Sequence, residues 1–263
     1  MEFRTKVQVE KACFNIEPLE EILFVGSCFA DSIGRRFREE RFPVVVNPFG
    51  VMYNPVSVFH TIQRIEERPR VVFLTLGTNH VYRLKETGEI VDNCQKRPQS
   101  LFQEEQLSVQ QCVDCLQEIV ELLLGRRADV QVVLTVSPIR YQKYGFHESQ
   151  LSKATLLLAV NEVVARNPQV VSYFPAYELV LDELRDYRFY QSDMIHPSEQ
   201  AVEYIWQQLV EAFFSERAQQ FLREWKPVKE ALGHRPFHPE SAAYQQFLSQ
   251  AKAKEQELIA RYS

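Results

Sequence analysis

The amino-acid sequence predicts an α/β protein in which a mostly parallel sheet lies between layers of helices. Short apolar runs of strand length alternate with segments whose apolar residues recur at helical period. The run over 130–136 is apolar almost throughout, as a central strand covered on both faces requires. Three of the eight glycines, Gly26, Gly50 and Gly77, fall at or near the ends of such runs, where open parallel sheets place their ligands.

Taken in order, Ile22–Gly26 reads as the first strand, and 29–41 as a helix with Phe29, Ile33 and Phe37 on one face. Val44–Val46 is a second strand, and Asn47-Pro48-Phe49-Gly50 is a loop because proline and glycine interrupt regular structure. Residues 55–67 read helical through Val58, Phe59, Ile62 and Ile65, and Val71–Leu76 is a third strand ending at Gly77. Glu86-Thr87-Gly88, between short runs at 81–84 and 89–91, predicts an inserted hairpin. Residues 108–124 form a helix with Ser108 as its N-cap. After the strand at 130–136 come a polar loop, a helix over 149–166, a fifth strand at 170–174 and a helix near 177–184. A helix over 198–214 closes the alternation, with Ala201, Ile205, Trp206, Leu209 and Phe213 at core-facing spacing.

Beyond about residue 215 no strand-like run remains, so 1–214 reads as one domain and 215–263 as a helical extension. Residues 240–262 read as an exposed amphipathic helix, a packing appendage or the seam of a homodimer in preference to a substrate lid.

The chain has 263 residues, 45% of them hydrophobic, which suffices for one large core. Its formal charge of −5 argues against a nucleic-acid-binding surface. No apolar run approaches the ~18 residues of a membrane span, so no membrane partner is expected. The N-terminal segment is too charged for a secretory signal, and a cytoplasmic location is the expectation. Five cysteines are too few for a disulfide scaffold, and Cys112 and Cys115 read as ordinary helix residues, since no second Cys/His pair stands at metal spacing. His234 and His238 have the spacing of a helical metal pair, but Pro236 between them opposes a helix. No metal or organic cofactor is implied.

Ser27 ends the stretch Leu23-Phe24-Val25-Gly26-Ser27-Cys28-Phe29-Ala30, where a strand passes into a helix. Such a turn lifts a side chain clear of the sheet while the helix aims backbone N–H groups toward it. Far downstream, Asp193-Met194-Ile195-His196-Pro197 supplies an acid and an imidazole three residues apart, with Pro197 expected to start the next helix. A serine hydroxyl needs a base to take its proton, and the base needs its other nitrogen held by an acceptor. Ser27, His196 and Asp193 supply those three parts. The backbone N–H groups of Ser27 and Gly50 and the amide of Asn79 could receive the charge developing on a substrate oxygen. Cys28, beside Ser27 at the same helix start, is a rival nucleophile. Asn47, His80, Arg140, Tyr141 and His147 follow strands and are candidates to line the pocket. Against these roles stand plainer ones: Ser27 as a helix cap, and Asp193 with His196 as a helix-entry motif.

The blocks Gly26-Ser27-Cys28-Phe29-Ala30, Val46-Asn47-Pro48-Phe49-Gly50, Leu74-Thr75-Leu76-Gly77-Thr78, Leu134-Thr135-Val136-Ser137-Pro138, Ser152-Lys153-Ala154-Thr155-Leu156-Leu157 and Asp193-Met194-Ile195-His196-Pro197-Ser198 resemble the GSCFA-domain branch of the SGNH (GDSL-type) hydrolase superfamily. The likeness covers roughly residues 20–214. It implies a flavodoxin-like three-layer α/β/α fold and a serine esterase site. By position, Ser27 would be the nucleophile, His196 the general base and Asp193 its orienting acid, with Gly50 and Asn79 completing the oxyanion hole. The implied substrate is a small-molecule or carbohydrate ester. An acyltransferase on the same site, or a non-catalytic glycan- or protein-binding module, is the alternative. Two positions depart from the superfamily: Gly26 replaces the aspartate before the serine, and His80 stands where an acid usually follows the asparagine.

Overall fold

The structure, a computed structural model, describes residues 4–92 and 97–263; the first three residues and Cys94 lie outside them. In chain order the elements are β1 (Ile22–Gly26), α1 (Cys28–Glu39), β2 (Val44–Val46), α2 (Pro55–Arg64), β3 (Val71–Leu76), β4 (His80–Leu84), β5 (Ile90–Val91), β6 (Phe102–Gln106), α3 (Val109–Arg126), β7 (Gln131–Val136), α4 (Phe146–Arg166), β8 (Val171–Tyr173), α5 (Ala176–Glu178), α6 (Glu199–Phe213), α7 (Glu216–Gly233) and α8 (Ala242–Tyr262). The central sheet runs β2-β1-β3-β7-β8 with every pairing parallel.

Alternation along each strand divides the apolar residues between two helix layers. Ile22, Phe24, Val71, Phe73 and Val133 face α1 and α6; Leu23, Val25, Val72, Leu74, Val132 and Leu134 face α2, α3 and α4. In the first layer Phe24 stacks on Phe73 with centroids 4.7 Å apart, and Phe37 meets Trp206 edge-on at 4.8 Å. The helices start as their caps dictate: Ser27 caps α1, Asn54 caps α2, and Ser108 with Gln111 forms a capping box on α3. The α/β architecture expected from the alternation is the one observed.

Three local differences have physical causes. The inserted hairpin is a three-stranded antiparallel sheet ordered β5-β4-β6. Only Phe102 of β6 is buried, so its Phe-Gln-Glu-Glu-Gln sequence carries no apolar alternation; Arg83 on β4 instead pairs with Glu105 on β6 at 3.0 Å. Helix α4 starts at Phe146, one turn before 149, because Gly145 at φ 84° turns the chain into a solvent-exposed first turn. Helix α5 is a single short turn that widens into a π-turn over Leu179–Leu184 and stops at left-handed Arg185.

The C-terminal extension packs part of its apolar surface against the main core, while Phe247 of α8 stays 41% exposed. Phe221, Trp225 and Val228 of α7 and Leu258 and Tyr262 of α8 join the core layer that contains α1 and α6. Trp225 Nε1 donates to Glu39 O at 3.1 Å, and Lys229 pairs with Glu40 at the end of α1. Among the described residues no helix is long and apolar enough to cross a membrane.

Candidate active site

Strands β1, β3 and β7 deliver Ser27, Gly77 and Ser137 to one edge of the sheet. At the end of β1, Gly26 adopts φ 144°, and a Cβ there would lie 2.1 Å from Thr75 O; only glycine fits. The Gly26 N–H donates to Asn47 Oδ1 at 2.9 Å, and Asn47 Nδ2 donates to Asp31 Oδ1 at 2.7 Å. Asn47, itself in the left-handed region at φ 44°, thus ties the strand end to the first turn of α1. The chain lacks an acid before the serine, yet a carboxylate four residues after it supports the same turn through an amide.

Ser27 is 2% exposed and caps α1, its Oγ accepting from Phe29 N–H at 3.2 Å. The same Oγ lies 3.1 Å from Thr75 Oγ1. The Ser27 N–H donates to Thr75 O and to Thr75 Oγ1, both at 2.9 Å. Thr75 therefore holds the serine at two points.

On the facing loop, Asp193 Oδ1 accepts from the N–H groups of Ile195 at 2.8 Å and His196 at 3.0 Å, while Oδ2 lies 2.6 Å from His196 Nδ1. Met194 makes this tight turn at φ 58°. The backbone donors of His196 and Ile195, with the imidazole bond, pull the Asp193 carboxyl from 3.8 to about 2, so it stays ionised. Its held Nδ1 leaves His196 Nε2 as the ring atom for proton exchange. Pro197 precedes Ser198, the N-cap of α6, and so stands one place outside the helix it was expected to start. The loop is moored to the end of β7, where Arg140 N–H donates to Ile195 O at 3.1 Å and Arg140 Nη1 to Met194 O at 2.9 Å.

The structure thus joins Asp193 to His196 and brings their loop to the sheet edge that carries Ser27. No hydrogen bond links Ser27 to His196 among the described residues; Ser27 is buried, whereas the His196 side chain is 38% exposed. The candidate oxyanion donors have internal acceptors as well. The Gly50 N–H closes a turn onto Asn47 O at 2.8 Å, and Asn79 Nδ2 donates to Leu107 O at 2.7 Å. Asn79 is 3% exposed, and its Oδ1 is buried with no partner among the described residues.

The remaining candidates are scattered around this edge. Half-buried Cys28 places Sγ 3.6 Å from Tyr53 OH, whose ionisation burial and that thiol push upward. His80 is 6% exposed and stacks on Tyr144 at 4.1 Å. Burial lowers its pKa from 6.5 and favours the neutral ring, although Glu104 lies 3.6 Å from Nδ1. Tyr141 lies between Tyr53 and Tyr144, with ring centroids at 6.3 and 5.4 Å. His147 is exposed on the first turn of α4. Burial lifts the Cys112 and Cys115 thiols on α3 to about 12, which keeps them unreactive. No group of three or more His, Cys, Asp or Glu residues poised for a metal ion occurs among the described residues.

Sequence reasoning gave no role to Thr75, Ser152 or Lys153, all buried here. Ser152 Oγ accepts from Asn79 N–H and bonds Thr78 Oγ1, both at 2.9 Å. Lys153 Nζ donates to Gly77 O and Ser137 O, both at 2.7 Å, and so pins the ends of β3 and β7 together. A signal existed: Lys153 precedes Leu156 and Val160 at core-facing spacing, which is no place for a solvated lysine.

The family described as the GSCFA family matches residues 21–71 and 65–209, and the C-terminal domain of GSCFA-domain proteins matches 225–263. No curated protein matches the chain. Among solved structures, one described as a GDSL-like lipase from Parabacteroides merdae is 13% identical, with a TM-score of 0.51 over 76% of this chain and 97% of its own. A catalytic mutant of an acetylxylan esterase from Geobacillus stearothermophilus is 14% identical, with a TM-score of 0.50 over 77% of this chain and 98% of its own. At such identities the likeness is one of fold.

Proposed function

The chain belongs to the GSCFA family, with a fold of the SGNH-hydrolase type, and from that we propose that it is a serine hydrolase cleaving an acyl or acetyl ester. The observation that carries this reading is the Asp193–His196 pair, its Nδ1 held at 2.6 Å, on the same sheet edge as a serine at a strand–helix junction. In the reaction Ser27 turns its hydroxyl from Thr75 toward His196, and Oγ attacks the ester carbonyl as its proton passes to Nε2. The imidazolium formed is stabilised by ionised Asp193 and returns the proton to the departing alcohol. Water, activated by the same imidazole, then releases the acyl group from Ser27. In this reading the second hydrogen of Asn79 Nδ2 and the Gly50 N–H turn toward the developing oxyanion; one such donor contributes about 3 kcal/mol.

A fluorophosphonate probe, which labels an activated serine, tests the proposal. The folded protein is expected to be labelled, Ser27→Ala to be silent, and Cys28→Ala to label as before. Folded protein that takes no label refutes the hydrolase. A second reading, a non-catalytic binding module, has its own observation in favour: Ser27 caps α1 and bonds Thr75, as a purely structural serine would. That reading predicts no labelling and a stability loss of about 1 kcal/mol for Ser27→Ala, the usual cost of a lost cap.

A further inference from the structure

We propose that the alcohol part of the ester carries a negative charge, a carboxylate or a phosphate, and that Arg140 receives it. This rests on the hydrolase reading and names the substrate class of that site. In such a reaction the bond from Ser27 Oγ to the carbonyl carbon forms and the bond from that carbon to the alkoxy oxygen breaks. The proton taken from Ser27 passes through His196 to the departing oxygen, and water later takes the acyl group. The base that protonates the leaving oxygen must lie beside it, so the alcohol occupies the His196 side of the site.

That side has a formed cleft of about 220 Å³, with Arg140, Gln150, Arg185, Asp186, Tyr187 and Tyr190 in its walls. It is continuous with the catalytic loop: Tyr190 bridges Pro197, and Ser198 N–H donates to Phe189 O at 2.8 Å. Arg140 is held in place without being neutralised. One nitrogen donates to Met194 O at 2.9 Å, and the guanidinium lies 4.0 Å from the Phe146 ring centroid, 5.5 Å from that of Tyr190 and 5.9 Å from that of Tyr187.

Among the described residues no carboxylate lies within ion-pair distance of Arg140 or Arg185; Asp186, in the cleft wall itself, pairs instead with Arg188 at 3.5 Å, and Asp193 with His196. Two unneutralised arginines in one cleft run against a chain whose formal charge is −5. A planar guanidinium fork matches the paired oxygens of a carboxylate or phosphate, and the flanking rings, Tyr187 66% exposed and Phe146 45% exposed, offer faces to a cyclic alcohol.

The test is protection of Ser27 from the fluorophosphonate by free alcohols, which needs no knowledge of the acyl group. The probes are 4-hydroxybenzoate, 4-hydroxyphenyl phosphate and neutral 4-hydroxybenzamide, applied to the full chain, to Arg140→Met and to Arg140→Lys. Half-protection is expected at about tenfold lower concentration for an anion than for the amide, as a charge-assisted bond gives. That preference should vanish in Arg140→Met and persist only in part in Arg140→Lys, which keeps the charge but loses the planar fork. The anion with the larger gain identifies carboxylate or phosphate. Because the readout is a ratio within one protein, a displaced Met194 carbonyl lowers both terms and leaves the ratio intact. Labelling with equal protection by all three alcohols, or a preference that survives Arg140→Met, overturns this proposal and leaves the hydrolase standing. Folded protein that takes no label overturns both.

Discussion

Replacing Lys153 with methionine should change how stability depends on pH. Lys153 is 2% exposed, with Nζ donating to Gly77 O and Ser137 O at 2.7 Å, and burial lowers its pKa from 10.5 to about 7. A neutral amine has two N–H donors, and two carbonyls are there to take them. In the unfolded chain the same amine keeps its proton to about pH 10.4. Between these limits the unfolded state binds the extra proton, so stability is full above the higher value and is lost as pH falls through the lower. From pH 7 to pH 9 the wild type should gain about 2 kcal/mol relative to Lys153→Met, at a limiting slope of about 1.4 kcal/mol per pH unit. The assay is urea unfolding of both proteins at half-unit steps from pH 6 to pH 9.5, taking the difference so that other groups cancel. Parallel profiles would refute the reasoning and mean that the ammonium stays charged among the carbonyls.

Gly26→Ala should fail to fold or lose more than about 4 kcal/mol, since its methyl overlaps Thr75 O at 2.1 Å on a left-handed backbone; soluble yield and urea midpoint decide it. Thr75→Val keeps the shape of a side chain 1% exposed but removes the hydroxyl 3.1 Å from Ser27 Oγ. Its labelling rate should fall about tenfold with about 1 kcal/mol of stability, and Thr75→Ser should restore both; an unchanged rate would remove Thr75 from the site. Leu258→Ala, at a fully buried position of α8, should cost about 2–5 kcal/mol of unfolding free energy if the C-terminal helices share the core; a loss under about 0.5 kcal/mol would show that they do not.

Strands such as Val71–Leu76 were legible because parallel strands covered on both faces must be apolar throughout, and α1 and α6 were legible from one apolar face each. Strand β6 was not, because pairing of backbone groups at an exposed edge leaves no pattern in Gln103, Glu104 and Glu105. Within the site, the pairing of Asp193 with His196 is local, and three residues of spacing suffice to suggest it. The roles of Asn47, Asp31 and Thr75 depend on strand register and helix entry, which place Thr75 opposite Gly26 and Asn47 beside it. Such partners are chosen by the sheet, not by neighbours along the chain. Lys153 stands at a position whose periodicity places it inside, where a basic group needs acceptors, and the carbonyls of Gly77 and Ser137 are those acceptors.

The contact between β1 and β3 at Gly26 also bears on how the chain can diverge. An aspartate before the serine cannot be introduced here by one substitution, because a Cβ at that position lies 2.1 Å from the Thr75 carbonyl oxygen. The carboxylate of Asp31 and the amide of Asn47 support the turn in its place. The two arrangements are therefore mutually exclusive, and a passage between them must begin with a change in β3, on a strand that carries neither Ser27 nor the Asp193–His196 pair.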